Sequence, residues 1–140
     1  MEAGTDPERM DDRIRLLLVG PDARIRRVLA MRLASEPDLV VVGEAGDVPG
    51  ARAAASELQP AVIVVDLGAR DARGCVDLEP VRQLAPLHRV VALAIDDSRC
   101  LLDEAREAGA AALVAKQGDP DELLAVIRRV AGAGVAEANP

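Results

Sequence analysis

VIVVDLGARDARG, residues 62–74, opens on four consecutive apolar residues, stops on an acid at Asp66 and runs into a polar loop that contains Gly68 and Gly74. A short, near-continuous apolar run bounded by turn residues is the pattern of a strand covered on both faces. Working outward, four more such runs appear, from Ile14 to Val19, Leu39 to Val42, Val90 to Ala94 and Ala112 to Ala115. The segments between them carry apolar residues at helical spacing, as with Ile25, Val28, Leu29 and Leu33 in the first and Leu123, Leu124, Ile127 and Val130 in the last. Asp119 is placed to cap the last helix, with Pro120 at its first position and Glu122 completing a capping-box-like pair. Pro37, Pro60 and Pro86 each fall between a helical segment and the next strand, where a ring that cannot continue a helix does no harm. Strands alternating with helices imply right-handed crossovers, so the chain is expected to form an α/β domain, a doubly wound, five-stranded parallel sheet with helices on both faces.

Composition narrows the function. In 140 residues there is no Phe, Tyr or Trp, so the core must be aliphatic and there is no aromatic platform for nucleic-acid bases. A net charge of −7 opposes contact with a phosphate backbone, and no nucleic acid is expected to bind this chain by itself. Arg24, Arg26, Arg27 and Arg32 cluster in one stretch and Arg128 and Arg129 in another, and they read as solvated helix faces. Cys75 and Cys100 lack a metal-ligand spacing and read as reduced thiols, and the lone His88 has no second ligand near it. The first residues have no apolar core of an export signal and no later run approaches a membrane span, so a cytoplasmic protein with no membrane partner is expected. The expected layout is a flexible N-terminal tail at 1–12, one domain at 13–134, and a C-terminal tail or start of a linker at 135–140.

In an open α/β sheet, ligands bind outside the carboxyl ends of the strands, where strand order reverses. The residues there are Gly20, Pro21 and Asp22 after the first strand, Gly43 and Glu44 after the second, Asp66 after the third, Ile95 to Ser98 after the fourth and Lys116 after the fifth. Asp66 and Lys116 stand out, an acid and a lysine ending two strands that face one crevice.

At this point the chain resembles a known family. IRLLLVGPDARIRRVLAMRLASEPDLVVVGEAGD, VIVVDLGARDARG and EAGAAALVAKQGDPDELLAVIRRVAGAG are similar, in that order, to the opening, middle and closing segments of LuxR/NarL-type response-regulator receivers. The resemblance implies a flavodoxin-like (CheY-like) fold, (βα)5, and a non-enzymatic role in signal transduction or transcriptional control. It places Asp66 at the phospho-acceptor position, Lys116 at the phosphoryl-contacting lysine, Gly68 where a main-chain carbonyl meets Mg²⁺, and Gly74 at the end of the following loop.

The departures are as informative. Where the family has a pair of acids after the first strand, this chain has Gly20 and Pro21. Mg²⁺ is a hard ion that takes oxygen ligands in near-octahedral geometry, so Asp66 and Gly68 form a weak site at best, and weak or no binding is expected. Asp22, Asp96 and Asp97 are candidate substitutes, although Asp22 is also a natural helix cap. Ala94 stands where the family has a hydroxyl and Leu113 where it has the aromatic switch, which removes both halves of that coupling; Arg70 stands in a loop position usually held by Pro. With the acid pair gone, Lys116 alone can neutralise Asp66 in a resting ion pair.

Three functions follow as alternatives: a phosphorylation-independent interaction or dimerisation module, a Mg²⁺-dependent receiver using Asp66 with substitute acids, or a small-ligand sensor whose crevice is relieved of charge and bulk at Gly20 and Ala94. The first and last helices are expected to flank one sheet edge and to build a symmetric homodimer through the last helix, completed by the first helix or by the fourth helix and fifth strand, with Arg128, Arg129 and Val126 contributing. Receivers of this type commonly precede a helix-turn-helix domain. The tail GAGVAEANP fits either a stand-alone receiver or one cut ahead of such a domain.

Overall fold

The computed structural model describes residues 12–96 and 98–138, with backbone alone for 133–138. The expected tail at 1–12, apart from Asp12, and the candidate Asp97 lie outside the described residues. The elements are β1 (Ile14–Val19), α1 (Ala23–Ala34), β2 (Leu39–Ala45), α2 (Val48–Leu58), β3 (Val62–Asp66), α3 (Glu79–Leu84), β4 (Val90–Ala94), α4 (Arg99–Glu107), β5 (Ala112–Ala115) and α5 (Pro120–Ala138). α5 continues into the stretch expected to be tail at 135–140, because Gly and Ala are followed by no proline or capping residue before Ala138.

All five strands pair in parallel in the order β2-β1-β3-β4-β5. β3 and β4 are buried at every residue, which is why their sequences are apolar without alternation. β2 runs three residues further than its apolar stretch, through Gly43, Glu44 and Ala45, because β1 continues to pair with it past a bulge between Leu16 and Leu17.

Each face of the sheet has its own aliphatic layer. One holds Leu17, Ile63, Val65, Val90 and Ala92 against Ala51 and Ala55 of α2, Val81 and Leu84 of α3, and Leu101 and Ala105 of α4. The other holds Leu16, Leu18, Val62, Val64 and Val91 against Leu29 and Leu33 of α1 and Leu123, Ile127 and Val130 of α5. α1 packs over β1 and β2 while α5 packs over β3, β4 and β5, so the two helices share a face and not an edge. A cleft separates them above the strand ends. Val126 packs against this layer and is partly buried.

Strand order reverses between β1 and β3, both of which leave the sheet centre at the same end. Gly20 and Asp66 therefore meet at the point where open sheets of this kind hold their ligands.

Candidate functional site at the strand ends

Asp66 ends β3 with its side chain 5% exposed, and its Oδ1 pairs with the Lys116 ammonium at the end of β5. The same oxygen accepts the Gly68 amide at 3.1 Å. Gly68 has φ +76° and Gly74 φ +83°, backbone that other residues adopt only with strain, so both glycines shape the loop that leaves the acid. A buried carboxylate needs a counter-charge and hydrogen bonds. Here the chain supplies both.

The two substituted positions after β1 are not empty space. A Cβ on Gly20 would lie 2.9 Å from the Asp66 Cβ, closer than real side chains approach, and 3.6 Å from its Oδ2. The crevice expected to be relieved of bulk at Gly20 is thus closed by backbone approach, with Asp66 lying over the glycine. Ala94 is fully buried, so its missing hydroxyl leaves no opening either, and Leu113, 9% exposed, sits in the core layer beneath α2, α3 and α4.

Arg26 is the residue that sequence reasoning missed. Read as a solvated helix position, its side chain is only 16% exposed; it reaches back from α1, donates through Nη1 to the Gly20 carbonyl and pairs through Nε with Glu44 Oε1 at 3.3 Å. A cation thus stands at the place where the resemblance puts two acids. Glu44 at a strand end, opposite an arginine one turn into the first helix, was the available signal.

The two described candidate acids, Asp22 and Asp96, are engaged elsewhere. Asp22 caps α1, its Oδ1 accepting the amides of Arg24 at 2.9 Å and Ile25 at 3.3 Å. Asp96 is held by Arg70 Nη2 at 2.9 and 2.8 Å and also accepts the Ser98 amide. The arginine beside Asp96 holds its carboxyl below the usual aspartate range. Arg70 donates in addition to the Gly74 carbonyl at 2.8 Å, so the residue in the position usually held by Pro latches the β3–α3 loop to the β4–α4 loop. Among the described residues there is no group of three or more His, Cys, Asp or Glu placed to hold a metal. The described residues do not fit Mg²⁺: Asp66 has one oxygen already shared by an ammonium and an amide, a guanidinium covers the neighbouring carbonyl, and among the described residues no second carboxylate points into the site.

Of the remaining expectations, Asp119 caps α5, accepting the Asp121 amide at 2.9 Å, with Pro120 as the first helical residue. Cys75 and Cys100 are free and exposed, and His88 is half-buried in the turn after α3. Arg128 is not a free surface cation: it binds Asp38 at 2.8 and 2.9 Å and Glu36 at 2.9 Å, tying α5 to the loop before β2. No helix among the described residues is long and apolar enough to cross a membrane.

Residues 16–128 match the response regulator receiver domain family. The chain is 33% identical over 121 residues to the transcriptional regulatory protein UhpA of Salmonella typhimurium, covering 86% of this chain and 60% of that protein. It is likewise 33% identical over 137 residues to a protein-glutamate methylesterase/protein-glutamine glutaminase of Cereibacter sphaeroides, covering 93% of this chain but 38% of the other. The chain therefore spans well under two thirds of these curated relatives. Among solved structures, a LuxR-family two-component response regulator from an Aurantimonas species superposes with a TM-score of 0.74 at 27% identity, covering 86% of each chain. With the sheet order and the Asp66–Lys116 pair at its switch point, the chain belongs to the response regulator receiver domain family of two-component signalling.

Proposed function

We propose that this receiver acts as a protein-interaction and dimerisation module without phosphorylation of Asp66. The observation that carries this reading is the internal neutralisation of the strand-end site, where Lys116 takes Asp66 and Arg26 lies against Gly20. An aspartate without a metal to orient and neutralise an incoming phosphodonor is a poor nucleophile. The Mg²⁺-dependent alternative loses support because Asp22 and Asp96 have other partners. No catalytic role is assigned to any residue. Transcriptional control, by analogy with UhpA, and any DNA contact would require a region beyond this chain; the setting is the cytoplasm.

For the dimer, the apolar residues left exposed favour α1 over α4 and β5 as the partner of α5: Ile25, Val28 and Met31 are 46%, 66% and 68% exposed. Two-fold closure pairs such a stripe with itself. Sedimentation at tens of micromolar protein tests this. A dimer that Met31→Asp converts to monomer is expected. A monomeric wild type removes the dimer, and a dimer indifferent to Met31→Asp moves the interface elsewhere. A second reading, a small-ligand sensor, is supported by the cleft between α1 and α5.

A further inference from the structure

A cavity of about 530 Å³ lies not over Gly20 but between α1 and α5. That is within the range of pockets that hold small organic molecules, about 300–1,000 Å³. Its walls are Ile25, Val28 and Leu29 of α1, Val114 of β5 and Leu123 of α5, and Lys116 stands among them beside the buried Asp66. Such a cavity has apolar walls, with Arg24 and Lys116 toward the strand carboxyl ends and Arg32 at the far end of α1.

The formal charges around it balance, three against three, but the groups left without a partner are cations. Three carboxylates line the cleft and all three are partnered: Asp66 by Lys116, Asp22 and Asp119 by the helix amides that they cap. Three cations line it as well, and two of them, Arg24 and Arg32, make no ion pair among the described residues. Arg24, Val28 and Arg32 follow one another at four-residue spacing, which puts both guanidinium groups on the helix stripe that carries an apolar wall. Lys116 has three donors and a side chain 28% exposed, so it can keep Asp66 and still offer a proton to a second acceptor.

We infer that the α1–α5 cleft binds a small amphipathic organic anion, with its apolar body between Val28 and Leu123 and its acidic group on Arg24 and Lys116, toward the strand carboxyl ends. The inference rests on the small-ligand reading, names its ligand class, and competes with the dimer for Val28. Occupancy would brace two helices that do not otherwise pack closely and would couple the ligand to the face that α1 presents.

The test uses anilinonaphthalene sulfonate, an amphipathic anion whose fluorescence rises in apolar sites, on a chain with no Trp or Tyr background. Saturable binding at one site is expected, displaced by octanoate but not by octyltrimethylammonium. Val28→Asp and Arg24→Glu change exposed positions and should leave the cooperative melt intact while weakening binding about tenfold. Leu87→Asp, at the 85% exposed apolar residue away from the cleft, should leave it unchanged. Absence of saturable binding, or loss of it in Leu87→Asp, overturns both the cleft and the small-ligand reading. Equal displacement by the cationic amphiphile overturns the anion assignment alone. Binding that weakens as protein concentration rises assigns the cleft to a second copy and overturns the proposal.

Discussion

Two cation–carboxylate clusters tie helices and loops to opposite ends of the sheet. At the carboxyl ends, Asp66 is 5% exposed and holds Lys116. At the amino ends, Arg128 of α5 spans Glu36 and Asp38 with side chains 31–47% exposed. The second cluster has more contacts, but water solvates all of its members, and exposed pairs contribute little to stability. The first has fewer contacts and no access to water for its acid. Losing a partner there leaves a buried charge without compensation. On the proposed reading, this pair serves the fold rather than phosphoryl chemistry.

The largest effect should come from separating that pair unevenly. Lys116→Met strands the Asp66 carboxylate and is expected to lower unfolding stability by about 2–3 kcal/mol, at the low end for a buried pair because Lys116 reaches solvent. Asp66→Asn removes the charge that needs compensation and leaves a lysine free to hydrate, at a cost of about 1 kcal/mol or less. Urea titrations of both variants read the asymmetry; equal losses would mean that the acid is better solvated than its burial indicates.

Next in size is Gly20→Ala. The added methyl meets the Asp66 Cβ at 2.9 Å, so β1 and β3 must separate, at about 1–3 kcal/mol. A neutral outcome in the same titration would show that the strand ends yield easily and that an acid could be restored there.

The smaller effects belong to the exposed clusters and are read by pH. Hydrogen bonds from Arg70 to Asp96 and from Arg128 to Asp38 hold both carboxyls below their ordinary range. A carboxyl whose folded value is depressed contributes stability above its unfolded value of about 3.9, and that contribution is lost as pH falls through the lower folded value. Acid should therefore loosen the Arg70 latch and the Arg128 tie below about pH 4. Arg70→Ala should flatten the acid limb slightly and raise amide exchange in the β4–α4 loop without shifting the neutral-pH melt much. A large shift at neutral pH would place the latch among the supports of the fold.

The fold was legible because burial on both faces leaves a direct trace: β1, β4 and β5 begin and end where their apolar runs do. β2 was read short because its last three residues are held by pairing with β1, and pairing leaves no mark on composition. In the site, Asp66, Lys116 and the cap at Asp22 follow from chain position alone. The closure over Gly20 and the inward turn of Arg26 do not, since both depend on how near β1 comes to β3. Arg128 was read as solvated from a helix pattern that could not show its partners, Glu36 and Asp38, in the loop before β2.

The account rests on Asp66 being a structural acid, and intact-mass spectrometry after treatment with acetyl phosphate and Mg²⁺ tests that most directly. The mass is predicted to stay unchanged under conditions that modify an ordinary receiver. A gain of one phosphoryl group that disappears in Asp66→Asn would contradict it.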